Sequence, residues 1–496
     1  MDTEQQPVFA ELLNRYTYVS GELSMPCVPA LLNTYMQRLE QMFTSLGKPF
    51  SKVDLATLQK FLIDYLSQGY KAGSNTYLTI KYSPTKSPDT GVSYTVSYAV
   101  NPNIQPAHNN YDLEMRVPAM LGMSPRDRPS PNLTSNLKLG DKTATLQILN
   151  VPVKTGLDNP QETPNFLKTI NQYTQVKGEI VMPCMPSLLD VYMAKLKKFF
   201  ISVGKAYSVA DLHTLRQLLE ENLHKGCAVS PLSKIVVRYE SIDYPNLGVN
   251  YQVAYSITSI AEQYQNWVDT RTPPLFGKSA DAKVMDTIAT LGNPHDLRVL
   301  DIGAGTGRNI LPLAQLGCRA EVLELSPALV EQLQKDAQAQ NLHVEAIVGD
   351  ILDPELQLQP NAYNLIICAE VVASHFRNVQ QIRTLLTKVS QALTPSGLFL
   401  FNLFIAHDDY HPNAIAREFS EVVWSCMFTN TDLATAFEGV PLDIIGNDSV
   451  FTYEHTHLPA EDWPPTGWFE NWTQGKDLFR FERSQMELRW ILCKRN

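Results

Sequence analysis

Hydrophobic and polar positions change period in a fixed order along the first hundred residues. Thr17 to Ser24 reads as an extended segment stopped by Pro26, since proline cannot donate to a strand ladder. Leu31, Leu32, Tyr35, Met36, Leu39, Met42, Phe43 and Leu46 then fall at helical spacing, with Gly47 as a stop. Asp54 opens a second helix through Leu55, Leu58, Phe61, Leu62 and Leu66, expected to end before Gly69. Tyr77 to Tyr82 and Val92 to Tyr98 alternate as strands around the turn Asp89-Thr90-Gly91. The order is β-α-α-β-β, an α+β module whose hairpin is expected to bury one face against the two helices.

The same pattern returns. Tyr16-Thr17 and Val19-Ser20-Gly21-Glu22-Leu23-Ser24-Met25-Pro26-Cys27 recur as Tyr173-Thr174 and Val176-Lys177-Gly178-Glu179-Ile180-Val181-Met182-Pro183-Cys184, an offset of 173 − 16 = 157. The offset holds without a gap through Tyr35/Tyr192, Gly47/Gly204, Leu58/Leu215, Gly69/Gly226, Tyr82/Tyr239, Gly91/Gly248 and Tyr98/Tyr255. Two tandem repeat modules are therefore expected, at 1–105 and 166–262. The stretch between them, 106–165, reads as an exposed linker rich in Pro, Asn and Ser, including Arg126-Asp127-Arg128-Pro129-Ser130-Pro131, with one short strand from Thr143 to Leu149. Met-Pro-Cys occurs in both copies. A reactive thiol would want electropositive, exposed surroundings, and a packed small residue at a strand-to-helix corner is the preferred reading. Glu22 and Glu179 face a shared groove or cap the following turn. The modules resemble no family known to us, so their function stays open at this level.

From Leu297 short apolar runs alternate with helices, the mark of a parallel doubly wound sheet. Leu297 to Asp301 is the first strand. The turn Gly303, Gly305, Gly307 follows, and a helix continues through Ile310, Leu311, Leu313 and Ala314. Glycines there let the backbone pass close beneath a ligand, because no Cβ intrudes. A dinucleotide turn would read GxGxxG; this one is GxGxG, with Arg308 at the third dinucleotide glycine. The second strand, Ala320 to Glu324, ends in an acid able to accept from both ribose hydroxyls and is followed by Leu325-Ser326-Pro327. Val344 to Val348 runs into Gly349-Asp350-Ile351, where a carboxylate can accept from an adenine amino group. Tyr363 to Cys368 ends at Ala369-Glu370, and a helix ending near Leu393 turns through Pro395-Ser396-Gly397 into Leu398 to Asn402.

The order DxGxGxG, acid-x-S-P, G-D, Y-N-L-I-x-C, P-x-G resembles the class I S-adenosylmethionine-dependent methyltransferases over about 200 residues. Gly305-Thr306-Gly307-Arg308-Asn309 with Leu313-Ala314-Gln315-Leu316-Gly317 is most similar to their tellurite-resistance (TehB-like) branch. The resemblance implies an α/β, Rossmann-like methyltransferase domain over 263–496, preceded by the two repeat modules, with S-adenosylmethionine as cofactor. It also implies roles. Asp301 would orient the glycine turn and the amino-acid part of the cofactor, and Gly303 and Gly305 would touch it through backbone. Glu324, with Leu325 beside it, would hold the ribose, Asp350 and Ile351 the adenine, and Ala369 the methionine end.

Methyl transfer is an in-line displacement in which the protein supplies alignment and desolvation, and a base is needed only when the acceptor must lose a proton. Glu370 and His375, just past the fourth strand, are the candidate catalytic residues; packing or helix capping is the plainer role for His375. His407-Asp408-Asp409-Tyr410-His411 reads as a solvated loop rather than a metal site, and Glu454-His455-Thr456-His457 as edge-strand residues, so no metal is expected. Tyr264, Trp267 and Pro273-Pro274-Leu275-Phe276 are expected to close over the cofactor. The tryptophans of 462–472 are expected to wall an acceptor pocket or contact the front modules.

Bulk properties narrow the partners. Net charge is −10 over 496 residues, the wrong sign for unaided binding to nucleic acid. Seven scattered cysteines without a CxxC suggest neither a disulfide framework nor a zinc knuckle. The polar start carries no basic-then-apolar leader, and no apolar run approaches the ~18 residues of a membrane span, so the cytoplasm is the expected compartment. Two readings follow for the whole: a small-molecule methyltransferase whose duplicated half recognises substrate or makes a homodimer, or a protein methyltransferase whose duplicated half recognises a client protein. A third is a non-catalytic cofactor-binding regulatory protein.

Overall fold

The computed structural model describes residues 6–73, 75–84, 92–99, 171, 173–205, 208–242, 248–272, 274–480 and 483–496. The 106–165 linker, its Thr143 to Leu149 strand and the Asp89-Thr90-Gly91 turn lie outside them. Two compact units emerge: Ala10–Lys225 with Lys234–Ser256, and Ile257–Asn496 with Gly226–Ser233 and Met1–Phe9.

After helix α1 (Gln6–Arg15), the first unit holds β1 (Tyr18–Pro26), α2 (Leu32–Ser45), α3 (Lys52–Ala72), β2 (Tyr77–Pro84) and β3 (Val92–Ala99). It continues with β4 (Gln175–Pro183), α4 (Leu189–Ser202), α5 (Val209–Val229), β5 (Lys234–Ser241) and β6 (Val249–Ser256). The second set repeats the first at 157 residues' distance (18 + 157 = 175; 99 + 157 = 256). Helix α3 differs from expectation at both ends. It starts two residues before Asp54, because Ser51 and Asp54 form a reciprocal capping box. It also runs on through Gly69, which is a contact point and not a stop: a Cβ there would lie 2.4 Å from Cys27 Sγ. Cys27 and Cys184 are both buried at strand-to-helix corners, and burial pushes the Cys27 thiol up to about 12, which removes the reactive form.

All six strands form one antiparallel sheet in the order β3-β2-β1-β4-β5-β6. At the seam β1 pairs with β4, with Gly21 opposite Gly178. The hydroxyls of Tyr82 and Tyr239, equivalent residues, meet there at 2.6 Å. Neither glycine could carry a side chain, since a Cβ on Gly21 would stand 2.7 Å from the Tyr82 hydroxyl and 2.9 Å from Gly178 Cα. Leu23, Met25, Ile80, Ile180, Met182 and Val237 are buried, at alternate positions of the inner strands. Arg38 on α2 donates to Thr174 Oγ1 at 2.8 Å and Lys195 on α4, its equivalent, to Asn14 Oδ1 at 2.9 Å. The two recurring glutamates make cross-strand ion pairs instead of caps: Glu22 lies 3.9 Å from both Lys81 and Lys177, and Glu179 accepts from Arg238 Nε at 2.8 Å.

The second unit begins with α6 (Ile260–Thr270) and α7 (Ala282–Ala289), then alternates β7 (Arg298–Ile302), α8 (Ile310–Gln315), β8 (Arg319–Glu324), α9 (Pro327–Ala339) and β9 (Val344–Val348). There follow β10 (Tyr363–Cys368), α10 (Val371–His375), α11 (Val379–Ala392), β11 (Leu393–Ala406), α12 (Ala414–Val422), β12 (Met427–Phe428), α13 (Asn430–Phe437), β13 (Leu442–Ser449), α14 (Val450–His457), α15 (Phe469–Thr473) and β14 (Met486–Arg495). The sheet order is β13-β14-β11-β10-β7-β8-β9, with β12 beside β11. Strands β7 to β11 pair in parallel and β14 runs antiparallel to its neighbours. This is the doubly wound sheet the pattern predicted. From β7 the chain winds outward through β8 and β9, then returns to β10 on the other side of β7. Ligands in such sheets sit at that reversal, beyond the carboxyl ends of the strands.

Two local expectations fail in this unit. Strand β11 already includes Pro395 to Gly397, where Ser396 takes a φ of +63°. The Glu454-His457 cluster is helical, in α14, and not on an edge strand. Glu454 is fully buried there; it accepts from the Ala282 N–H at 2.6 Å and from Trp490 Nε1 at 2.9 Å. A side chain tying the start of α7 to the last strand has long-range partners that no local pattern encodes. No described helix is long and apolar enough to cross a membrane.

Candidate active site

Strand β7 delivers Asp301 and the glycine turn to the chain-reversal point. Gly303 has φ +74°, and a Cβ on it would fall 2.1 Å from Val371 Cγ2. A Cβ on Gly305 (φ +57°) would meet the Phe276 ring at 3.3 Å, so that ring roofs the turn. At the tip of β8 Glu324 is buried and both its oxygens are engaged: Oε2 accepts from the Gly305 N–H and Oε1 from the Ser326 N–H, each at 2.9 Å. The adjacency of β10, β7 and β8 thus brings Ala369, Asp301 with the Gly303-Gly305 turn, and Glu324-Leu325 to neighbouring strand ends. Asp350, past β9, is exposed and accepts from the Leu352 N–H at 2.8 Å, while Ile351 is buried with Ile302 and Leu323.

Glu370 stands in a left-handed conformation, φ +65°, with its N–H donated to Asn402 Oδ1 at 2.6 Å. Its carboxylate accepts from Arg308 Nη2 at 2.9 Å. The same guanidinium grips Asp281 through both terminal nitrogens, and Asn309 closes on Asp281 from the other side (3.0 Å to Oδ2, with the Asp281 N–H returned to Asn309 Oδ1 at 2.9 Å). Sequence reasoning missed this network. Arg308-Asn309 was visible as the end of the glycine turn, but Asp281 carries no motif and lies before the first strand.

The site is rich in carboxylates. Burial, with Asp281, Glu324 and Glu370 nearby, pushes Asp301 up to about 8 against the opposing pull of Arg308. Glu370 is raised to about 7 and Glu454 to about 8, both chiefly by burial, with Asp281 adding to each. Glu324 is raised by burial despite its backbone donors. Burial thus holds these carboxyls toward their protonated forms.

His375 Nε2 lies 2.8 Å from the Tyr264 hydroxyl, and burial lowers the imidazole to about 4, so the ring is neutral at physiological pH. Tyr264 stands edge-on to Trp267 (5.3 Å between centroids), Trp424 (5.8 Å) and Phe276 (6.2 Å). Trp424, also missed, has φ +59°, and its carbonyl accepts from Trp472 Nε1 at 2.9 Å. Of the other tryptophans of the C-terminal insert, Trp468 packs on Trp472, and Trp463 packs on Phe451, His455 and Phe469. In the His407-His411 loop, Asp408 accepts from Asn430 Nδ2 at 2.8 Å. Among the described residues no group of His, Cys, Asp and Glu is placed to hold a metal ion.

Residues 299–397, which span the glycine turn, Glu324, Asp350, Glu370 and His375, match the family model described as a methyltransferase domain. Among solved structures, the chain is similar to a geranyl diphosphate C-methyltransferase from Streptomyces coelicolor A3(2) in complex with Mg2+, geranyl-S-thiolodiphosphate and S-adenosyl-L-homocysteine (13% identity, 48% of this chain and 99% of that one, TM-score 0.36). It is also similar to a sarcosine dimethylglycine methyltransferase, so described, from Galdieria sulphuraria (14%, 43% and 83%, TM-score 0.34). A third is a TehB-like SAM-dependent methyltransferase from Corynebacterium glutamicum (16%, 48% and 96%, TM-score 0.29). No curated protein sequence matches the chain. The family match falls on the same residues that the fold gathers at the chain-reversal point, and the chain accordingly carries a methyltransferase domain.

Proposed function

We propose that this protein is an S-adenosylmethionine-dependent methyltransferase acting on a small-molecule acceptor. The observation that carries the reading is the Glu324 carboxylate, clamped by the Gly305 and Ser326 N–H groups beside a bare-backbone turn. A carboxylate held this way keeps lone pairs for a ribose diol. Asp350 and Ile351 are then the adenine contacts, and Asp301 and Ala369 flank the methionine end. Bound there, the cofactor supplies a methyl group on a sulfonium, and its positive charge suits strand ends that hold Asp301, Glu324 and Glu370 against the single guanidinium of Arg308.

The protein's own part is to align and to exclude water. Phe276 roofs Gly305, and Tyr264 joins His375, so the acceptor side is walled by half-buried aromatic rings. A protein side chain would have to pass these rings to reach the turn, which favours a small acceptor. Glu370 and His375 border the position the methyl group would take. We assign the duplicated unit to substrate recognition or dimerisation, in keeping with its polar sheet face of Glu22, Lys81, Lys177, Glu179 and Arg238. The test is incubation of the full chain with methyl-tritiated cofactor and an extract of its source cells. Label in the small-molecule fraction supports the reading; label confined to a protein band contradicts it in favour of a client protein.

A further inference from the structure

We propose that Asp281 is a positioning residue for methyl transfer: it shares the Arg308 guanidinium with Glu370 and so governs the charge of the carboxylate that borders the donor methyl group. This role rests on the methyltransferase reading and adds to it a residue that no motif marks. Asp281 is the N-cap of α7, where an aspartate ordinarily turns its side chain onto the N–H groups of the first turn. Here it makes no such bond. Those donors go to Glu454 instead, which accepts from the Ala282 N–H at 2.6 Å and from the Lys283 N–H at 3.2 Å. The Asp281 carboxylate is thereby released for Arg308, with Oδ1 accepting from Nη1 and Oδ2 from Nη2, and Asn309 holds it in that pose.

Arg308 Nη2 is the shared atom. It donates to Asp281 Oδ2 at 3.0 Å and to Glu370 Oε1 at 2.9 Å. Asp281 therefore takes the bidentate face of the guanidinium and leaves Glu370 a single bond. Side-chain exposure rises along this relay, from 2% at Asp281 to 7% at Arg308 and 21% at Glu370. The inner acid is closed to ligands; the outer one is open to them. Glu370 Oε2 has no hydrogen-bond partner among the described residues. The Glu370 backbone is fixed as well, at φ +65° with its N–H on Asn402, and strained residues held by dedicated partners concentrate at functional sites.

The charge of Glu370 follows from this division. Burial raises it to about 7, Arg308 opposes the rise and Asp281 adds to it. The surrounding elements bring further acids and no second cation: Asp301 from β7, Glu324 from β8 and Glu454 from α14, the last acting on Arg308. Tyr264 of α6 and His375 of α10 are neutral at physiological pH. Removing the Asp281 charge therefore lowers the pH at which Glu370 ionises. An ionised Glu370 attracts the sulfonium of S-adenosylmethionine and finds no such charge in the thioether S-adenosylhomocysteine, so it favours the donor over the spent product.

Calorimetric titration of the full chain with each of these two ligands, across neutral pH, tests this. In the parent chain the ratio of S-adenosylmethionine to S-adenosylhomocysteine affinity should rise about tenfold with pH, with a midpoint near 7. The ligands' own amino groups titrate alike in every variant, so differences between variants isolate the protein's part. Asp281→Asn keeps the shape of the residue and its backbone bonds but leaves the Arg308 charge to Glu370, and its midpoint should fall by about one pH unit. Asp281→Glu keeps the charge and should leave the midpoint near the parent's. Glu370→Gln should flatten the ratio, and it reads the claim even where Asp281→Asn does not fold. A residue that merely held α7 in place would weaken both ligands alike and leave the midpoint unmoved. That result, a midpoint that rises, or a pH-dependent ratio surviving in Glu370→Gln overturns the role of Asp281. Absence of binding of either ligand by the parent chain contradicts the methyltransferase reading itself, and the positioning role falls with it.

Discussion

Arg308 stands where a dinucleotide-binding turn would have its third glycine, and its donors are spent on Asp281 and Glu370. Asp301 is not hydrogen-bonded to it, and burial raises its pKa from the ordinary aspartate value to about 8 although Arg308 pulls the other way. A raised carboxylate pKa means the folded state holds a proton that the unfolded chain releases near pH 4, so stability from this group is present at low pH and is lost as pH rises to about 8. Asp301→Asn cannot ionise. Its unfolding temperature relative to the parent chain should therefore climb between pH ~5 and ~8 in circular-dichroism melts without cofactor. A difference independent of pH would contradict the assigned environment. At this scale the sequence was legible where chemistry is local. Gly303, Gly305 and Glu324 lie on a turn and a strand tip whose neighbours are fixed by the winding of the sheet. Asp281, the Tyr264–His375 pair and Trp424 were not, because each depends on a partner far along the chain.

Elements were read well where one period dominates. Strands β7 to β10 fall within a residue of their expected positions; β7, β8 and β10 are buried and leave near-continuous apolar runs, while β9, at the sheet edge, is mostly exposed and still carries one. Gly69 misled because a glycine inside a helix and a glycine after one look alike; only the Cys27 contact separates them. The seam between β1 and β4 was invisible for another reason. Strand alternation fixes which face is buried but not which edge meets which. The Tyr82–Tyr239 hydroxyl pair lies at that seam and is buried. Tyr82→Phe and Tyr239→Phe should each cost about 1 kcal/mol or more in urea unfolding, and the double variant less than their sum, with a coupling of about 0.5–1.5 kcal/mol. Strict additivity would mean that the two hydroxyls do not interact.

At the scale of the molecule, the two units are not consecutive in sequence: the cofactor-binding unit takes in Gly226–Ser233 and Met1–Phe9. Phe9 is buried with its ring stacked on Phe419, 5.5 Å between centroids. A chain cut just before residue 257 would lose that partner, which boundaries drawn from sequence pattern alone do not foresee. Phe9→Ala in the full chain should destabilise by about 3–5 kcal/mol. The loss should fall in the unfolding transition that S-adenosylhomocysteine shifts upward; a loss in the other transition would contradict the division. The central claim is a cofactor held by its ribose at Glu324 over the glycine turn, and calorimetric titration of the full chain with S-adenosylmethionine tests it most directly. One site per chain is predicted, with affinity about ten- to a hundredfold weaker in Glu324→Ala, the loss of charge-assisted hydrogen bonds. No binding by the parent chain, or equal affinity in Glu324→Ala, would contradict it.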